Sequence, residues 1–132
     1  MKIMVCYDGS DEAKSLLPIA QQQAKAYKAR VFAVMAMEGE SGAQLEGLES
    51  SEKPLEYAKI FFENSGLEFE TKLLVSEGAL EAGETLVQYA NEQQVDMIII
   101  GVKKRSKVGK LLTGSNAQYV LLNAECPVLS AK

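Results

Sequence analysis

The sequence predicts an α/β fold with one open parallel sheet and helices on both faces, and three observations predict it. Short apolar runs rich in strand formers alternate with longer stretches whose apolar residues recur at helical spacing, from Lys2 to the last run at Val128. Several of the short runs, Val31 to Met37 and Met97 to Ile100 among them, are apolar without a break, as strands covered on both faces are. The alternation gives five strands and four helices, which calls for parallel pairing through right-handed crossovers. A length of 132 residues suits one domain, and no internal repeat or boundary interrupts it, so residues 1–132 are read as a single domain.

Lys2 to Tyr7 reads as the first strand, ended by Asp8-Gly9-Ser10, a turn signal that contains a helix N-cap residue. From Asp11 to Lys28, the residues Ala13, Leu16, Leu17, Ala20, Ala24 and Tyr27 give the first helix a buried face. Pro18 is expected to kink that helix or to delay its firm start. Val31 to Met37 is the second strand. Glu38 to Ser51 carries Gly39, Gly42 and Gly47 among Ser and Glu residues and reads as the one long irregular connection. Pro54 is placed in the first turn of the second helix, with Leu55, Ala58, Phe61 and Phe62 turned inward and Gly66 as its stop. Leu67 to Ser76 is an edge strand. Leu80, Gly83, Leu86, Val87 and Ala90 set the stripe of the third helix, which runs to about Gln94 with Gly83 weakening its early part. Val95 to Ile100 is a central strand ended by Gly101. Ala117, Val120, Leu121 and Ala124 mark the buried face of a short fourth helix, and Cys126-Pro127-Val128-Leu129 is the last strand. The architecture expected is a Rossmann-like open five-stranded sheet of order 3-2-1-4-5.

Composition narrows the function. The hydrophobic fraction of 47% and charged fraction of 24% are those of an ordinary globular domain. The sequence has no histidine, which removes Ser-His-Asp and Cys-His nucleophile pairs and the commonest metal ligand. Cys6 and Cys126 fall inside short apolar runs and are read as reduced, buried core thiols. Only five apolar residues, Ile3 to Tyr7, precede Asp8, too few for a signal peptide or a membrane span, so a cytoplasmic location is the default expectation. A net charge of −4 argues against a nucleic-acid binder with a broad basic face. The cations are nevertheless concentrated: Lys103, Lys104, Arg105, Lys107 and Lys110 are five of the 14 basic residues, which fits a local anion site.

In an open sheet of this order, ligands bind beyond the carboxyl ends of the strands where the order reverses, between the first and fourth strands. Asp8 closes the first and Gly101 the fourth, so two distinctive loops face one crevice. Gly114-Ser115 opens the fourth helix, where free backbone N–H groups and the helix dipole favour an anion. Ser115 also reads simply as an N-cap, but with Gly101 and the cations before it the stretch from Gly101 to Ser115 reads as a phosphate-binding loop. It is not a Walker loop, because Gly109-Lys110 is followed by Leu111, and no dinucleotide glycine motif is present.

Gly101-x-x-Lys104, nine residues and then Gly114-Ser115 resembles the nucleotide motif of the universal stress protein family, Gly-x2-Gly-x9-Gly-Ser/Thr, with Lys104 at the second glycine. Asp8-Gly9-Ser10, Ile98-Ile99-Ile100-Gly101, Gly114-Ser115-Asn116-Ala117 and Cys126-Pro127-Val128-Leu129 match the family's landmarks in order along the whole chain. The resemblance implies ATP across the strand ends, with Asp8 near the ribose, the backbone around Ala36 meeting the adenine and Gly101 against the sugar. Gly114, Ser115 and Asn116 would bind phosphates through backbone N–H groups and the Ser115 hydroxyl. Cys6, Tyr7 and Ile100 would be pocket walls, or plain core. Lys104, beside Lys103, would replace a backbone contact by a charge contact to phosphate, or mark a branch without nucleotide. Asp8 is the candidate for holding Mg2+ with the phosphates. The resemblance also implies a homodimer paired through Val128, Leu129 and Ser130 of the last strand, and neither nucleic acid nor membrane is an expected partner. Three readings stay open: an ATP-binding regulatory or stress-response module, a slow ATPase, and a nucleotide-free dimeric interaction protein.

Overall fold

A computed structural model of the chain describes residues 1–38, 43–102 and 114–131, with the side chains of 38 and 43–52 left out. Its elements are β1 (Lys2–Cys6), α1 (Asp11–Lys14), α2 (Leu16–Tyr27), β2 (Arg30–Glu38), α3 (Ala43–Glu63), β3 (Phe69–Ser76), α4 (Ala82–Glu92), β4 (Met97–Gly101), α5 (Ser115–Asn123) and β5 (Val128–Ala131). All the pairings are parallel and the sheet order is β3-β2-β1-β4-β5, as the sequence predicts.

Alternation along the strands supplies two cores, one on each face of the sheet. Ile3, Val5, Val31, Ala33 and Ile99 pack with Leu16, Leu17, Ala20, Ala58 and Phe62 of α2 and α3. Met4, Phe32, Val34, Ile98 and Ile100 pack with Leu86, Val87 and Ala90 of α4 and with Ala117 and Val120 of α5. This is why the central strands read as unbroken apolar runs: both faces are covered. Among the described residues, no helix is long and apolar enough to cross a membrane.

Four expectations are corrected. The helix expected from Asp11 to Lys28 is two segments, broken at Ser15. Pro18 then falls in the first turn of α2, where its missing N–H costs least. Residues 43–51 are helical and not an irregular connection, since α3 starts at Ala43. Ala, Gln, Leu and Glu, all good helix formers, outweigh Gly47 and the two serines there. Pro54 consequently lies inside α3 and not in its first turn.

The remaining correction concerns depth of burial. Tyr27, Leu80 and Leu121, expected on buried faces, are 54%, 37% and 39% exposed, and Leu122, next to Leu121 in the chain, is 77% exposed. Leu80 precedes α4, and α5 buries only Ala117 and Val120. Cys6 and Cys126 are free, as expected, but only partly buried.

A proline inside a helix removes one hydrogen bond and costs about 3 kcal/mol, so Pro54 needs a compensating contact. Its ring lies against Gly9 in the turn after β1: a Cβ added to Gly9 would come within 2.6 Å of Pro54 Cβ and 2.9 Å of Pro54 Cγ. Gly9 also has φ +82, a conformation that costs other residues about 1–2 kcal/mol. The two requirements fall on one residue, so α3 holds the turn that leaves β1. Gly9→Ala should destabilise the protein by ~3 kcal/mol in urea unfolding. Gly66→Ala, with φ +77 and nothing within 4 Å of the added carbon, should cost only ~1 kcal/mol. Equal losses would remove the Pro54 contact from the account.

Candidate functional site

The turn after β1 is built by side-chain hydrogen bonds. The Ser10 backbone N–H and hydroxyl donate to Asp8 Oδ1 at 2.9 and 2.6 Å, and Ser10 Oγ accepts from the Ala13 N–H at 3.1 Å. Ser10 is thereby the N-cap of α1 and the clamp on Asp8. Asp8 itself is exposed, and its Oδ2 has no partner among the described residues.

The second wall is backbone. The pairing of β1 with β2 ends at Cys6 and Val34, where the Tyr7 N–H donates to the Val34 carbonyl at 2.9 Å. β2 continues through Glu38, paired with β3 on its other side. Backbone groups in a parallel strand alternate sides, so Ala36 turns its N–H and C=O to the same side as Val34, past the end of β1. Ala36 is only partly buried.

The third wall follows β4. β1 and β4 pair directly, which brings Gly101 to the same end of the sheet as Asp8. A Cβ on Gly101 would sit 3.6 Å from Leu16 Cδ1, so the first residue of α2 packs beneath this point. Lys103 and Lys104, with the rest of the basic loop to Thr113, lie outside the described residues. Gly114, extended at φ −62 and ψ 151, is the N-cap of α5, and its carbonyl accepts the first helical bond, from Gln118 N–H at 3.0 Å. A glycine has no side chain with which to cap, so the N–H groups of Ser115, Asn116 and Ala117 begin the helix at the positive end of its dipole. Ser115 is exposed beside them.

Asn116 is engaged in a way the sequence did not reveal. Its Oδ1 accepts from the Gly83 N–H of α4 at 2.8 Å, so its side chain serves α4 and its backbone N–H is what it can offer a ligand. Tyr7 and Ile100 point into opposite cores, Tyr7 only 2% exposed. Cys6 packs against the same core as Ile100. The structure therefore gathers Asp8, Ala36, Gly101, Gly114, Ser115 and Asn116 at one end of the sheet, while Cys6, Tyr7 and Ile100 lie beneath them. Sequence reasoning placed Pro54 and Gly83 in helices but missed their contacts with Gly9 and Asn116. Their signals were a proline within reach of a helix-forming stretch and a glycine on the apolar stripe of a helix, the mark of a close approach.

An open parallel sheet whose strand order reverses between β1 and β4, with a polar turn and a glycine-capped helix start at that reversal, defines a doubly wound α/β protein of the class that binds ligands at its strand ends. The family model described as universal stress protein family matches residues 1–132, and the chain belongs to that family. A universal stress protein of Thermus aquaticus is 35% identical over 136 aligned residues, which cover 96% of this chain and 95% of the relative. A solved universal stress protein from Archaeoglobus fulgidus is 33% identical, covers 100% of this chain and 98% of its own, and has a TM-score of 0.88. Another structure from Archaeoglobus fulgidus, 28% identical at a TM-score of 0.83 with coverage of 100% and 98%, is of the universal stress protein in complex with dAMP.

Burial gives the buried groups here a readable chemistry. The Tyr7 hydroxyl is enclosed without a hydrogen-bond partner among the described residues, and burial, then Tyr57, then Asp8 push its pKa up. Removing an orphaned polar atom recovers its desolvation cost, so Tyr7→Phe should stabilise the protein by ~1 kcal/mol in urea unfolding. A loss of stability would show that the hydroxyl has a partner. Although Cys6 as a residue is partly exposed, enclosure of its thiol, then Cys126, pushes the thiol from the ordinary 9.0 to about 12. The folded state thus keeps a proton that the unfolded state releases, so this contribution is complete below pH 9.0 and is lost as pH rises toward about 12. The stability difference between wild type and Cys6→Ala should therefore fall by about 1.4 kcal/mol per pH unit across that window, followed by unfolding at a series of pH values. A constant difference would contradict it.

Proposed function

We propose that this chain binds an adenine nucleotide, ATP with Mg2+ in its filled state, across the crevice between β1 and β4, and works in the cytoplasm as a regulatory stress-response module. The observation that carries this reading is the reversal of strand order between β1 and β4, which opens the Asp8 turn, the β2 backbone at Ala36 and the start of α5 onto one end of the sheet. The relative solved with dAMP, which this chain matches along its whole length, supports an adenine nucleotide as the ligand class.

The residues present suit that ligand. Backbone N–H groups of Gly114, Ser115 and Asn116 with the Ser115 hydroxyl supply donors for phosphate oxygens, and the helix dipole favours their charge. The side chains of Lys103 and Lys104 would add mobile positive charge, Lys104 in the place where the family motif has glycine. Asp8 Oδ2 is the acceptor for a ribose hydroxyl or the ligand for Mg2+, Gly101 lies against the sugar, and the Ala36 backbone meets the adenine edge. Two copies would pair through Val128, Leu129 and Ser130, because β5 is an edge of the sheet with one side unpaired among the described residues.

Calorimetry with ATP and Mg2+ tests the reading. Wild type should bind, and Ser115→Ala should weaken ATP about tenfold through loss of one charge-assisted hydrogen bond. Lys104→Gly should also weaken it; affinity that rises or stays unchanged would remove the Lys104 contact. Absence of wild-type binding at millimolar ATP would leave the nucleotide-free dimeric protein as the better reading.

A further inference from the structure

We propose that Asn116 and Gly83 form a latch between α4 and α5 that sets the start of α5, and with it the part of nucleotide affinity that comes from phosphate. Gly83 and the Asn116 side chain then act by positioning, while the Asn116 backbone N–H remains a phosphate donor; the proposal rests on the nucleotide reading above. Gly83 is the second residue of α4, and its N–H is among those that an α-helix leaves without an internal partner. Glu81, at the N-cap position, makes no side-chain capping bond. Asn116 Oδ1 takes the Gly83 N–H at 2.8 Å instead, so α4 is capped from α5.

The same residue fixes the separation of the two helices. Gly83 is buried, and a Cβ added there would lie 3.0 Å from Asn116 Cα, 3.0 Å from the Asn116 carbonyl oxygen and 3.1 Å from Tyr119 Cβ. Two of those three atoms are backbone of the first turn of α5, so that turn itself would have to move. The two helices are not equally anchored. α4 sends Ala82, Leu86, Val87 and Ala90 into buried positions, and Thr85 joins the buried Ser76 at the end of β3 at 2.7 Å. α5 buries only Ala117 and Val120 over nine residues. α4 is the fixed partner, and the latch determines where the N–H groups of Ser115, Asn116 and Ala117 stand. Hydrogen bonds to an anion weaken steeply once distance and angle leave their narrow range, so a displacement of a few tenths of an ångström there reaches the phosphate contacts and spares those of the adenosine.

The test compares adenosine with AMP by calorimetry on wild type, Gly83→Ala and Asn116→Ala. Wild type should bind AMP more tightly than adenosine. Each variant should lose about five- to tenfold in AMP affinity while adenosine affinity stays within twofold, a split that general loss of stability cannot produce. The two variants break the latch independently, so one that fails to fold leaves the other to decide. Equal losses for AMP and adenosine overturn the latch, as does a wild-type preference for AMP that survives in a folded variant. Wild type that binds neither ligand overturns the nucleotide reading and the latch with it, which separates the two failures.

Discussion

The structure depends on the pairing of β1 with β4 in a sheet buried on both faces. Ile3, Met4, Val5, Ile98 and Ile99 are all fully enclosed, and they belong to the two strands from which the chain turns in opposite directions. Right-handed crossovers then force α2 and α3 onto one face and α4 and α5 onto the other. Two dry cores leave polar chemistry nowhere to go but the strand ends. At the carboxyl ends of β1 and β4 the covering helices diverge, and the turn at Asp8 and the start of α5 fill the gap from either side. The site is therefore a consequence of strand order before it is a consequence of any side chain.

Helix starts show how that gap acquires its character. α1 receives a side-chain cap from Ser10 within its own chain segment, and α4 receives one from Asn116 across an interhelix contact. α5 begins with a glycine. The difference is physical: the first two helices have oxygen atoms that offset part of their positive ends, whereas the backbone donors of α5 are offered outward. Capping α4 through Asn116 also places the two positive helix ends side by side, an arrangement that favours negative charge between or beside them.

Much of this was legible in the sequence, and the misses have a common cause. The strands and the Asp8 turn followed from runs, alternation and punctuation, which are local signals, whereas the strand order rests on the fold class that they imply. Leu121 and Tyr27 were misplaced because periodicity gives the direction of a side chain and not the depth of what covers it. α5 buries only Ala117 and Val120, so Leu121, one position beyond that face, stays partly exposed. Pro54 was assigned to a helix start because the rule for proline counts the cost of the missing N–H; the contact with Gly9 lies on another element and carries no local trace. At the site, Gly114 and Ser115 were readable as a helix entry. The side chain of Asn116 was not, because its partner Gly83 is joined to it only by the packing of two helices.

That an acidic chain should present an anion site is less of a conflict than the net charge of −4 suggests. At physiological ionic strength charges more than about 8 Å apart are largely screened, so carboxylates spread over the rest of the surface act weakly at the start of α5. Backbone N–H groups meet a bound oxygen at about 2.9 Å, far inside that length, and they carry no counterions to release. On the proposed reading, the clustered cations from Lys103 to Lys110 would act over the intermediate range, drawing an anion toward donors that then fix its orientation. Attraction and orientation are thus assigned to different groups, the first tolerant of exact geometry and the second dependent on it. On that reading, Lys104 in place of a glycine would change the first kind of contribution and a shift of α5 against α4 the second, so the position of α5 would be the more exacting condition for specific binding.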